Sequence, residues 1–428
     1  MLNVDALLPH IPFGLPSAPF EDASISKNPY IKGYFGYRAS VNLAERFPRG
    51  YTAATVEMAV LNEMPGYSAR QSKIDILGLT RDGLKELADK RLGPAAGAYA
   101  KVYAQAFKRF ELNPSALGLG NEKVLLWTDN FSLKQPEIER VLTEPGEYGS
   151  TAKALLRLED GLRVECVRVP MATRSPDEGR GTLCVSSQVG CRMGCAFCET
   201  GRMGLKRSLT SAEIVGQVLA ARLLLGWPFR NIVFMGMGEP LDNAKEVFQA
   251  IEVLQDSAGL NFAQDRLSLC TVGHAEGLRL LAAKGWKRLN LSVSLNAATD
   301  EARSAIMAVN RRWPLPELSE ALRLFRDRRG FTLALNYCLI PGRNDSAQDA
   351  DAVAAFVNGL EFPREAVFIN VIPYNPGSAP IGREPTAAET EGFVAALKGR
   401  GLRVLRRATH GRSIMAACGQ LGAEAPSA

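Results

Sequence analysis

The chain has 428 residues, 46% of them hydrophobic and 22% charged, and a formal net charge of +6. That is enough apolar material for one large domain with accessories. The opening stretch MLNVDALLPHIPFGLPSAPF has no basic start and is cut by Pro9, Pro12, Pro16 and Pro19, which excludes the pattern of an export signal. No apolar run reaches membrane-spanning length, since VLAARLLLGW is short and carries Arg222. A cytoplasmic chain without membrane contact is expected. The basic excess suits a polyanionic partner, but on charge alone the run of Arg400, Arg403, Arg406, Arg407 and Arg412 reads as a solvated surface.

Residues 1–72 are rich in Pro, Gly, Tyr and Ser and read as an irregular extension. From 73 to 170 the pattern predicts a helical accessory domain ending in a β-hairpin. In KIDILGLTRDGLKELADKRLG, Thr80 is the expected N-cap, with Leu84, Leu87 and Ala88 on one face. AYAKVYAQAFKRF continues as a second helix. Asp160-Gly161 sits between period-two apolar runs, the mark of a hairpin turn. Residues 171–181 read as a polar linker.

From 182 to 428 strands and helices alternate. Strands are expected at Leu183–Ser187, Asn231–Met235, Leu267–Cys270, Leu289–Leu295, Thr332–Leu339 and Val367–Ile372. Thr210 with Glu213 forms a capping box ahead of Ile214, Val218, Ala221 and Leu225. Val247, Ile251 and Leu254 repeat the helical spacing, as do Leu318, Leu322 and Phe325. Six such units imply parallel strands with right-handed crossovers. They are too few to close an eight-stranded barrel, so the expectation is an α/β fold with an open partial (β/α)6 barrel. A further strand is expected near Arg403–Arg406.

Eight cysteines stand at 166, 184, 191, 195, 198, 270, 338 and 418, four of them between Cys184 and Cys198. In a cytosolic chain such clustering points to metal or redox chemistry rather than disulfides. GCRMGCAFCETG sets Cys191, Cys195 and Cys198 in a CxxxCxxC spacing just after a predicted strand. Three thiolates hold three corners of a [4Fe-4S] cluster and leave the fourth iron open to a small molecule, whereas electron-transfer clusters and structural zinc sites usually want four ligands. The three histidines, His10, His274 and His410, all lie far from this loop in sequence. The second strand ends in VFMGMGEPL, where Gly236 and Gly238 allow close backbone approach and Glu239 can accept from an ammonium group.

The CxxxCxxC loop with this glycine turn resembles the radical S-adenosylmethionine (SAM) superfamily. In that superfamily SAM chelates the open iron, and reductive cleavage yields a 5′-deoxyadenosyl radical. The longer strings TLCVSSQVGCRMGCAFCETGRMG and NIVFMGMGEPL, with the terminal AACGQLG, resemble the RlmN/Cfr family of RNA adenine methyltransferases from about Lys73 to Leu421. The resemblance implies that Cys418 takes a methyl group from one SAM and passes it, after hydrogen abstraction, to carbon 2 or carbon 8 of adenine. It implies that Cys184 then resolves the protein–RNA crosslink by a transient disulfide. Glu165 matches the family's proton acceptor; from the hairpin alone it would be an exposed strand residue. Gly238, Glu239, Cys270, Ser294, Leu295, Asn296 and Asn375 match SAM-binding positions. Asn296 and Cys270 depart there from the family's usual His and Ser. Cys166 and Cys338 read as packing residues, as in the main does Cys270.

The function implied is methylation of an adenosine in 23S rRNA, carbon 2 ahead of carbon 8, with tRNA a further substrate. The cofactors are a [4Fe-4S] cluster and SAM, the electron donor is a flavodoxin-type protein, and the chain is expected to act as a monomer. A glycyl-radical activator has no use for Cys418, and a methylthiotransferase needs a second cysteine triplet. An RNA-binding iron–sulfur protein without activity is the remaining alternative.

Overall fold

The computed structural model describes residues 73–171, 181–328 and 330–422. The expected extension (1–72) and the interior of the expected linker (172–180) lie outside the described residues. Ten strands form one sheet: β1 (Glu137–Glu144), β2 (Thr151–Arg157), β3 (Arg163–Pro170), β4 (Gly181–Cys184), β5 (Asn231–Phe234), β6 (Leu267–Thr271), β7 (Asn290–Ser294), β8 (Leu333–Leu339), β9 (Val367–Pro373) and β10 (Val404–Arg406). Their order in the sheet is their order in the chain. The pairs from β1 to β4 are antiparallel. From β4 to β10 every pair is parallel. The first and last strands do not meet, so the barrel is partial and open, as its six repeated units require.

Three helices precede the sheet, α1 (Arg81–Leu92), α2 (Tyr99–Arg109) and α3 (Asn121–Asn130). The crossovers carry α4 (Ser211–Leu219), α5 (Ala244–Gln255), α6 (Ala275–Ala283), α7 (Asp300–Ile306), α8 (Leu315–Arg323), α9 (Ala347–Gly359) and α10 (Ala387–Gly399). The cap signals act as the pattern requires. Thr80 accepts from the Gly83 N–H at 3.1 Å, and Thr210 and Glu213 form the reciprocal box at the start of α4. Ile214, Val218, Val247, Ile251, Leu318 and Leu322 are fully buried against the sheet, because helical spacing stacks them on one face.

The expected strand Leu183–Ser187 shortens to Gly181–Cys184. Beyond it the Ser186 N–H turns to the Gln217 side chain at 2.9 Å and the Ser187 N–H to the Met237 carbonyl at 2.8 Å. These bonds carry the chain off the sheet towards the cysteine loop. The hairpin turns at Gly161, whose φ of +81° suits glycine. Its strand β3 pairs with β4, Val167 opposite Cys184, so hairpin and barrel share one sheet. β1 was not legible in the sequence. It is an edge strand with charged side chains on its open face, among them Glu137 and Glu139 paired with Arg157 and Arg163, and such charges hide the apolar alternation while protecting the edge.

The accessory helices are tied to the barrel by Asp256, just after α5. Its carboxylate accepts from the Arg81 N–H at 2.6 Å and the Tyr103 hydroxyl at 3.0 Å. Asp256→Ala removes both acceptors and is expected to cost about 2 kcal/mol, read as a lower denaturant midpoint.

Candidate active site

The cysteine loop follows β4. Gly190 and Gly194 take φ of +75° and +65°. A Cβ on Gly190 would overlap the Gly204 carbonyl, which instead accepts from the Cys191 N–H at 3.2 Å. The loop's far side is fastened to the end of α7, where Cys195 bridges to Met307 and the Ala196 N–H reaches the Ile306 carbonyl at 2.9 Å. Cys191, Cys195 and Cys198 line a cleft at the C-terminal ends of the parallel strands. That is where open α/β sheets place their ligands. Gly238, Glu239, Cys270, Ser294 and Asn296 line the same cleft.

The donor set fits a cluster. Burial pushes all three thiols up, Cys191 to about 12 and Cys195 well above its ordinary value, so ionised sulfur here calls for a positive partner such as iron. These cysteines would hold three irons of a [4Fe-4S] cluster, and the cleft beside them leaves room for SAM on the fourth.

Glu239 is buried, with burial pushing its carboxyl up and bonds from Thr271, Val272 and Leu241 pulling it back. The two backbone donors are the Val272 N–H at 2.9 Å and the Leu241 N–H at 3.0 Å. Asn296 sits at φ +59° just after β7 and accepts from the Cys338 N–H at 2.8 Å. The Cys270 thiol, raised by burial to about 11, faces the Asn336 amide at 3.3 Å. Leu295 is fully buried and contributes no surface to the cleft. Asn375 is also outside its lining; its amide donates to the Cys418 carbonyl at 3.3 Å and its oxygen accepts from Arg412 at 3.1 Å. Cys166 is a core residue, but Cys338, read as packing, lines the cleft.

Cys418 arrives on a C-terminal segment without helix or strand. The Glu199 N–H donates to the Gly419 carbonyl at 2.8 Å and the Thr200 hydroxyl to the Leu421 carbonyl at 2.6 Å, which fastens this segment to the residues right after Cys198. Cys418 therefore lines the cluster-side cleft. It also lines a second cavity, of about 330 Å³, together with Cys184 on β4. The two spaces share Cys198, Thr200, Met235, Gly236, Cys418 and Gly419. All eight cysteines are unbridged.

Glu165 is buried rather than exposed, at 6% accessibility, because the hairpin's outer face is covered by the C-terminal segment. It pairs with the buried Lys153 ammonium at 2.8 Å and accepts from the Gly422 N–H at 2.8 Å. Lys153 in turn donates to the Met415 carbonyl at 3.1 Å. Neither side chain lines the two cavities.

Arg407 is a site residue that charge counting missed. Arg400, Arg406 and Arg412 pair with Asp351, Glu391 and Glu384, and Arg403 donates to the Glu365 carbonyl. These four behave as the surface reading expects. Arg407 has no carboxylate partner among the described residues and lines the second cavity beside Cys184 and Cys418. Cys418, ahead of Cys184 and Cys270, tightens its hold on its proton. The only signal in the sequence was its place at the end of a strand.

A family model for the radical SAM superfamily matches residues 185–353. A probable dual-specificity RNA methyltransferase RlmN from Protochlamydia amoebophila is 39% identical over 353 residues, 82% of this chain and 94% of that protein. The dual-specificity RNA methyltransferase RlmN of Syntrophotalea carbinolica is 44% identical over 279 residues, 65% of this chain and 71% of that one. The chain belongs to the RlmN family of radical SAM RNA methyltransferases. A crystal structure of a radical SAM methyltransferase from Sphaerobacter thermophilus superposes with a TM-score of 0.72 at 32% identity, covering 82% of this chain and all of that one. An RlmN-family radical SAM enzyme uses a [4Fe-4S] cluster and SAM. None of the described helices is long and apolar enough to cross a membrane.

Lys153→Met is expected to cost about 3–5 kcal/mol, since it strands the Glu165 carboxylate in a buried site. Equilibrium denaturation measures the loss, and adding Glu165→Gln should recover part of it.

Proposed function

We propose that this protein methylates a ring carbon of an adenine in RNA, carbon 2 in preference to carbon 8, by way of a methyl group carried on Cys418. The single observation that carries this reading is the position of Cys418, which belongs to two cavities at once. One holds the cluster cysteines and Glu239; the other holds Cys184 and Arg407. A sulfur at that junction can collect a group on one side and deliver it on the other. A glycyl-radical activator has no need of such a residue.

When bound, the cluster and SAM supply the methyl group and the means to abstract hydrogen from it. The protein's own residues do the rest. Cys191, Cys195 and Cys198 hold the cluster, while the Gly236–Gly238 turn and Glu239 receive the methionyl end of SAM. Ser294, Asn296 and Cys270 line the cleft further along, and the backbone of Leu295 and the Asn375 contact to Cys418 shape its edges. Cys418, as a thiolate, would accept the methyl group by displacement, the sulfonium of SAM leaving as its neutral thioether. Cys184, across the second cavity and as a thiolate, attacks the Cys418 sulfur of the crosslink; the two sulfurs form a disulfide, and the bridging carbon leaves with the carbon–sulfur electron pair and takes a proton to become the methyl group of the product. Glu165 takes the substrate proton by family resemblance; with its carboxylate committed to Lys153 and Gly422, that role requires the C-terminal segment to shift.

The second cavity takes the target base. Val167, Val169 and Met235 give it apolar walls, and an adenine must leave its stack to enter. Arg407 there offers an unclaimed positive charge to RNA. The substrates proposed are an adenosine of 23S rRNA and also tRNA, in keeping with the dual-specificity names of the relatives. The reducing interior of a cell, with a flavodoxin-type electron donor, suits the free thiols, and the proposed working unit is a monomer.

Peptide mass spectrometry of anaerobically isolated enzyme should find one added methyl on Cys418. Cys184→Ala should then trap a covalent RNA adduct on Cys418 that survives denaturation. Methylated adenosine made at the wild-type rate by Cys418→Ala would end this reading. Arg407→Gln should weaken RNA binding about tenfold, the loss of one charged contact, while the methyl on Cys418 still forms. Filter binding and peptide mass spectrometry read the two effects separately.

A further inference from the structure

Behind the cleft lies an arginine that the reaction as described does not use. Arg303, on α7, is fully buried, and among the described residues no carboxylate touches its guanidinium. Its four hydrogen bonds go to neutral acceptors. Nε donates to the Leu295 carbonyl at 3.1 Å and Nη1 to Asn310 Oδ1 at 2.7 Å. Nη2 donates to the Val272 carbonyl at 2.5 Å and the Ser294 carbonyl at 3.2 Å. Asp300 acts on it only at a distance, through the Asn310 amide that both side chains share; a buried charge with no carboxylate in contact is costly, so its presence here needs a reason.

Two features of its surroundings supply one. First, three of the four acceptors are strand-end carbonyls: those of Val272 and Ser294, residues that line the far wall of the cleft, and that of Leu295, buried behind it. The Val272 peptide is shared, its carbonyl taking Arg303 and its N–H going to Glu239 at 2.9 Å. The turn also lies directly on the guanidinium, where a Cβ on Gly273 would stand 3.2 Å from Nη2. Second, α7 ends at the contacts that hold the cysteine loop, Ile306 with Ala196 and Met307 with Cys195. Burial lowers the Arg303 pKa to about 10, and Cys195 is the first of the groups that hold it up. One side chain thus stands between the SAM wall and the cluster loop.

We propose that Arg303 is a positioning residue with two separable effects: its planar fork holds the ends of β6 and β7 in the shape that receives SAM, and its positive charge makes the bound cluster easier to reduce. A nearby cation stabilises the more negative, reduced cluster. Lysine keeps the charge but cannot bridge three carbonyls with a planar fork; glutamine loses the charge. The inference rests on the cleft being the SAM and cluster site.

The test uses anaerobically reconstituted holoenzyme, with iron content and circular dichroism checked for each variant. Binding of labelled SAM is measured by equilibrium dialysis, and the cluster midpoint potential by redox titration followed by electron paramagnetic resonance. Arg303→Lys should bind SAM at least about tenfold more weakly, as for one or two lost hydrogen bonds, with the midpoint unchanged. Arg303→Gln should show the weaker binding and a more negative midpoint. SAM binding at wild-type strength in the Lys variant overturns the first effect. A wild-type midpoint in a Gln variant with four irons overturns the second. Loss of iron from both variants would make Arg303 a scaffold of the loop alone and also overturn the proposal. A wild-type protein that takes up no iron would instead sink the functional reading.

Discussion

The segment 411–422 has no helix or strand of its own, so the position of Cys418 depends on side chains from elsewhere that bind its backbone. Glu144 accepts from the Gly411 and Ser413 N–H groups, Lys153 donates to Met415 and Asn375 to Cys418 itself. The Glu199 N–H and Thr200 hydroxyl hold Gly419 and Leu421, and Glu165 holds Gly422. These partners come from the end of β1, the hairpin, the loop after β9 and the turn after the cluster cysteines. Buried backbone groups must be paired; here the pairing is done by four distant parts of the fold, and it converts an irregular tail into a defined one. The buried Lys153–Glu165 pair is the anchor, because each partner also satisfies a carbonyl or N–H of the tail.

The sheet explains why those parts meet. Its parallel half places the cleft at the strand ends, where the loops are free to carry function while the strands stay packed. Its antiparallel half covers the β4 edge with the hairpin, so that Cys184 is flanked by β3 on one side and β5 on the other. One edge pairing therefore fixes both the second cysteine and the platform on which the tail rests.

Charge inside this architecture is sorted by cost. Arginines 400, 406 and 412, exposed or half-buried, sit in ordinary ion pairs that contribute little. Arg407 and Arg303 stand at the candidate site instead, one facing the second cavity and one behind the first. The atoms in contact with them are carbonyls, an amide oxygen and a thioether rather than carboxylates. Unbalanced charge of this kind is where a folded chain spends stability on function.

Local pattern alone determined a good part of this. Helical spacing marked Ile214, Val218 and Leu322, the Thr210 box marked where α4 starts, and alternating units foretold the parallel strands and the open barrel, because each signal lies within a few residues of what it specifies. The CxxxCxxC loop and the glycine turn were legible for the same reason, and the resemblance of longer strings named Cys184 and Cys418. Tertiary structure alone decided what those residues touch. It buried Glu165 on Lys153, sent Asn375 to the Cys418 backbone, and brought Cys338 into the cleft. It also left Arg407 without an acid among the described residues while Arg406 and Arg412 found theirs, and set Arg303 against Val272, 31 positions away in the chain. Those outcomes depend on which faces pack together across the sheet, and a one-dimensional pattern records a residue's own periodicity but not the element that will cover it.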